Sequence, residues 1–137
     1  MMRMLAISAV ALVLGGGLAP AAPVALFGKS QPGMWELSGM QGARGAARIC
    51  VADLAQLAQV EHRGRGCKQK PIRETAASVT FTYECSAKDF GRSEVYFVTP
   101  RNFKIVSQGI AGGLPFSHTV QARRLGDCEP KSAPSRH

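Results

Sequence analysis

The chain has 137 residues, 45% of them hydrophobic, and carries seventeen Lys and Arg against nine Asp and Glu for a formal net charge of +8. That length holds one domain with a modest core, and the apolar content excludes a disordered polar chain. The nearest pair among its four cysteines, Cys50 and Cys67, is too widely spaced for the close Cys pair of a zinc site.

At the N-terminus, Arg3 precedes an uncharged run, LAISAVALVL, that breaks at Gly15, Gly16, Gly17 and Pro20 and ends in small residues. This layout predicts a cleaved secretory signal over residues 1–25, not a membrane span, which needs about 20 unbroken apolar residues. No cysteine follows the apolar run, so no lipid anchor is expected. Export places the mature cysteines in an oxidising compartment, the periplasm, where an even set reads as disulfides and a paired sulfur offers no thiolate.

From Trp35 onward the dominant period is two, the pattern of strands with one buried face. Strands are predicted at 34–39, 46–51, 68–74, 79–85, 93–99, 103–109 and 116–125. The segment ADLAQLAQV, residues 52–60, changes register: Leu54, Leu57 and Ala58 fall at helical spacing, and Asp53 sits where a helix N-terminus favours a carboxylate. The expectation is a mainly β domain over 31–128, a single antiparallel meander of about seven strands coiled into a half-barrel or small barrel. One short helix near 52–60 would cover its open end or edge. Residues 129–137, polar and proline-bearing, read as a disordered tail.

The basic residues are densest in HRGRGCKQKPIR, where Arg63, Arg65, Lys68, Lys70 and Arg73 crowd a glycine-rich stretch. This stretch reads either as a solvated loop or as an anion-binding patch. In an exported protein the matching partners are an anionic lipid, a cell-wall polymer or an acidic envelope protein, and not nucleic acid. His62, His118 and His137 show no metal-ligand spacing, and no nucleophile, base and acid stand at spacings that single out a catalytic set. No catalysis, metal or cofactor is expected. His118, on a strand with Phe116 and Val120, reads as a satisfied, partly buried residue.

The single tryptophan follows closely on Gly33. Trp35 is expected to be structural, packing across the end of the sheet with Arg123 or Arg124 through cation–π contact; the competing role is a ligand platform. Two binding functions stay open: an interaction module, and a carrier of a small hydrophobic ligand in a coiled-sheet cavity. Trp35, Phe81, Tyr83, Tyr96 or Phe97, Phe103 and Phe116 are large enough together to fill a small interior, which favours the module.

PGMWEL, the cysteine opening RICVADLAQL, a second cysteine, VTFTYEC, and the closing RRLGDC occur in an order that resembles the family of small exported bacterial proteins known as domain of unknown function 3617. The resemblance spans residues 31–128 and implies an exported β-rich domain, with no reaction or catalytic residues attached to it. The basic stretch at 62–73 and the Gly-Leu-Pro turn before Phe116 depart from the family habit.

Four cysteines allow three pairings. A turn centred on Ala76 sets opposite each other residues whose numbers sum to 152, which places Cys67 across from Cys85 and leaves Cys50 for Cys128. The competing set, Cys50 with Cys67 around the helix and Cys85 with Cys128, stays open at this stage.

Overall fold

A computed structural model describes residues 24–40 and 42–130; residues 1–23 of the signal peptide predicted over 1–25, and 131–137 of the tail predicted over 129–137, lie outside the described residues. Seven antiparallel strands form one sheet: β1 (Gly33–Ser38), β2 (Ala47–Val51), β3 (Lys68–Glu74), β4 (Ser78–Ser86), β5 (Asp89–Thr99), β6 (Asn102–Ala111) and β7 (Leu114–Gly126). Their order is β2-β1-β7-β6-β5-β4-β3, so β2 and β3 are both edges. The sheet stays open, so the expected small barrel does not form, and it is not a simple meander: β1 pairs with β7 as well as β2, which sends the consecutive strands β2 and β3 to opposite edges. Pro71 gives β3 no N–H at that position, and Lys68 and Lys70 charge it, two devices that keep an edge from accepting another strand.

Alternation along the strands sorts the residues onto two faces, and the register aligns the inward ones in cross-strand rows. Val120, Ile105, Val95 and Val79 are mutually opposite, and the next row is His118, Ser107, Ser93 and Phe81. The row beyond holds Phe116, Gly109, Gly91 and Tyr83. The inner face thus passes from aliphatic to polar toward the end where β4 turns into β5 and β6 into β7. At that end Gly112 and Gly113 have φ of +58° and +81°, the positive pair that a tight two-residue hairpin turn requires.

The short helix expected near 52–60 is present, shifted by two residues. It is a 3₁₀ helix, η2 (Leu54–His62), with non-helical φ/ψ at Gln59. A capping box sets its start: Asp53 Oδ1 accepts from the Ala55 N–H at 2.9 Å, and Gln56 Oε1 accepts from the Asp53 N–H at 3.3 Å. Its apolar side, Leu54, Leu57, Ala58 and Val60, joins the buried core. Ahead of β1, a second short 3₁₀ helix, η1 (Ala25–Lys29), buries Leu26 and lays the Phe27 ring on Phe81 at 5.9 Å and near Phe103 at 6.0 Å. Residues before 31 therefore contribute to the core.

The disulfides are Cys50–Cys128 and Cys67–Cys85. The first ties the end of β2 to the segment after β7, and the second joins the start of β3 to β4. Together they fix both edge strands to the body of the sheet.

Candidate functional site

Trp35 is fully buried, and its ring stacks on Phe103 with centroids 5.2 Å apart and an interplanar angle of 8°. The expected arginine partnership is not what the geometry provides. Arg123 lies on the outer face, where its guanidinium donates to Glu36 at 3.0 Å. Arg124 is opposite Trp35 in register, but its Nε donates to the Pro32 carbonyl at 3.0 Å and its Nη2 to Asp127 at 2.7 Å. Both arginines are held by oxygen acceptors, which bind a guanidinium more directionally than an indole face. Gly33 makes this possible: a Cβ there would meet Arg124 Nη2 at 2.8 Å and would also collide with the Gly126 carbonyl.

Beyond Trp35 and Phe103 the aromatic contacts continue through Phe27 to Phe81, and these last two line a cleft of about 720 Å³ with Val24, Pro32, Leu54 and Pro71. The cleft occupies the gap between the two sheet edges. Its walls are mostly apolar, and η1 forms one of them.

At the opposite, polar end, side chains that sequence reasoning did not bring together converge. A Cβ on Gly91 would meet the Tyr83 hydroxyl at 2.5 Å, and one on Gly109 would meet the Phe116 ring at 3.0 Å, so both rings fold inward over bare backbone. The last residue of η2, His62, enters the space between them, with ring centroids 5.3 Å from Tyr83 and 5.8 Å from Phe116. Its Nδ1 lies 3.1 Å from Tyr83 Oη. Its Nε2 lies 3.5 Å from Asp89 Oδ1. His118 is buried beside Phe116, with Nδ1 3.6 Å from Glu61 Oε2. Ser93 and Ser107 share a hydrogen bond of 2.8 Å in the neighbouring row.

Charge in this cluster is controlled by burial and by hydrogen bonds. Burial pushes the Tyr83 phenol up to about 12, against the pull of a hydrogen bond with Ser107. The phenol stays neutral beside His62 Nδ1, while His62 Nε2 is buried with no hydrogen-bond partner among the described residues. The Gly112 N–H, followed by Arg65 and Ser86, holds the Asp89 carboxyl well below the usual carboxylate range. Burial lowers His118 below the ordinary imidazole value, opposed by Glu61. Neither ring nitrogen of His118 has a hydrogen-bond partner among the described residues, so this histidine is buried without the satisfaction expected from its strand position. No group of three or more His, Cys, Asp or Glu side chains converges as a metal site among the described residues.

The five basic residues singled out in sequence divide into different surroundings. Arg65 is engaged, its Nη1 2.8 Å from Asp89 Oδ2. Arg63 caps η2 on the exposed loop that follows. Lys68 and Lys70 project from the outer face of β3, since Gln69 between them pairs with inward-facing Tyr83. Arg73 follows the register shift at Pro71 and is exposed at the far end of β3. The register adds a cation that composition did not flag: Lys70 is opposite Thr82 and Thr82 opposite Arg92, which puts Lys70 and Arg92 in one outer-face row two strand spacings, about 10 Å, apart.

An open, disulfide-tied antiparallel sheet with a buried polar end defines the class. The family model described as a protein of unknown function (DUF3617) matches residues 30–128, and the chain belongs to that family. No curated protein and no solved structure matches it.

Proposed function

We propose that this domain is an exported, non-catalytic binding module of the bacterial envelope that engages an anionic partner through the outer face of β3, β4 and β5. The observation that carries this reading is the row formed by Lys70 and Arg92, with Lys68 beside it, all exposed and none in an ion pair among the described residues. Arg65, by contrast, serves Asp89. A non-catalytic role is supported by the closed polar end: His62 is 4% exposed, and a phenol pushed upward by burial is the opposite of an activated nucleophile. Retention on an immobilised sulfated polymer tests the reading. Lys68→Glu/Lys70→Glu should elute far earlier than the parent, and equal retention of the two would refute it.

A second reading, a carrier of a small hydrophobic ligand, is favoured by the apolar cleft beside η1 and by its size, within the range of ligand sites. Native mass spectrometry of protein purified from its own envelope separates the two: a bound lipid-sized mass supports the carrier, and a mass equal to the bare chain supports the module.

A further inference from the structure

We infer that the end of the sheet formed by the β4–β5 and β6–β7 turns docks on an anionic bilayer surface, with Leu114 and Phe90 entering the lipid boundary and the neighbouring cations meeting headgroup phosphates. This rests on the anion-binding reading above and names its partner.

Three segments are locked together at this end. The Gly113 N–H donates to the Lys88 carbonyl at 3.1 Å, and the Gly112 N–H donates to Asp89 Oδ1 at 2.8 Å. Arg65, from the loop after η2, closes on the other oxygen of Asp89. The turns are thus tied before any partner arrives. Their apolar side chains nevertheless point to water: Leu114 is 71% exposed and Phe90 42% exposed, with Phe90 directly opposite half-buried Ile110 on the outer face. Two of the exposed large apolar residues stand at this end, Leu114 in line with inward-facing Phe116 and Phe90 on the outer face, so the tip offers an apolar group on either side of the sheet beside charged residues, as an interaction surface does.

The charge around them selects the occupant. Lys88 lies in the β4–β5 turn, Lys68 is in the row of Phe90 and Glu84, and Lys70 and Arg92 stand in the next outer-face row; Glu84 opposes Lys68, while Asp89 is paired with Arg65. Glu61 is turned inward toward His118. Apolar tips ringed by cations match the layering of an anionic bilayer, hydrocarbon inside a plane of phosphates, as in interfacial anchors generally. An acidic protein would complement the same cations, and the vesicle arm of the test separates it from a bilayer.

The test uses co-sedimentation with vesicles of phosphatidylglycerol and phosphatidylcholine, with pure phosphatidylcholine vesicles, and separately binding to soluble dextran sulfate. Leu114→Ser/Phe90→Ser changes only exposed side chains, and its fold is checked by thermal melting. The inference expects the parent to bind the anionic vesicles and not the neutral ones. The apolar variant should lose tenfold or more of that binding while keeping its affinity for dextran sulfate. Vesicle binding of the apolar variant equal to the parent's overturns the inference. Dextran sulfate binding by the parent without vesicle binding also overturns it, leaving the anion-binding module intact with a polymer or protein partner. Loss of both overturns the module as well.

Discussion

Tyr83 and Gly91 are directly opposite on β4 and β5, and the phenol lies over the place where Gly91 has no side chain. The pair opens the space that His62 occupies. Gly91→Ala is therefore expected to destabilise the domain by about 1 to 3 kcal/mol through overpacking. In a Gly91→Ala/Tyr83→Leu double variant the loss should be smaller than the sum of the two single losses, because the clash is shared. Urea denaturation of the four proteins measures the coupling; strict additivity would show that Tyr83 does not lean on Gly91.

The stack of Trp35 on Phe103 predicts that Trp35→Ala costs about 3 to 5 kcal/mol, the usual loss for a large buried aromatic. Arg124→Ala should leave tryptophan emission unchanged, whereas Phe103→Leu should shift it. A melting curve unaltered by Trp35→Ala would reassign the ring to ligand contact.

Removing the two disulfides separately is expected to give unequal losses. The Cys50–Cys128 bond spans 78 residues and the Cys67–Cys85 bond 18, for which loop-closure entropy gives about 4.5 and about 3 kcal/mol respectively. Non-reducing peptide mapping checks the pairing, and a cross-linked peptide joining Cys50 to Cys67 would contradict it.

His118 makes stability depend on pH in a defined direction. Because burial lowers its value in the folded chain, the unfolded chain binds the proton first, and stability present above about pH 6.5 is lost as the pH falls below it. Asp89, also held low, adds a second loss that begins near pH 4. His118→Phe should abolish the upper step and leave the lower one. Chemical denaturation at a series of pH values reads both, and an upper step that persists in the variant would assign it to another group.

The seven strands and the Cys67–Cys85 pair were legible, because alternation and turn residues act locally and hairpin arithmetic sets the two cysteines opposite each other. The strand order was not legible: a meander sets β2 beside β3, whereas the long-range pairing of β1 with β7 makes them opposite edges. The polar end was not, although its signal was present. In SEVYFVT and FKIVSQG the inward positions include Ser93, Ser107 and Gly109, small residues where a filled core calls for large ones. They make sense only when Tyr83, Phe116 and His62 arrive from other elements to occupy the space. The Trp35 partner was missed because strand alternation sends Arg123 outward to Glu36, and acceptors at Pro32 and Asp127 capture Arg124. Arg92 stood outside the basic stretch, and only the register of β4 with its two neighbours brings it level with Lys70.

Binding of an anion by the outer-face cations Lys68, Lys70 and Arg92 should depend steeply on salt. The screening length shrinks from about 10 Å at ~0.1 M ionic strength to about 3 Å at ~1 M, so binding through exposed cations must weaken steeply over that range. Affinity for dextran sulfate should fall more than tenfold for the parent across this titration. A Lys68→Ala/Lys70→Ala/Arg92→Ala variant should bind weakly at low salt and change little as salt rises. A variant whose affinity and salt profile coincide with the parent's would show that these three cations do not bind the anion.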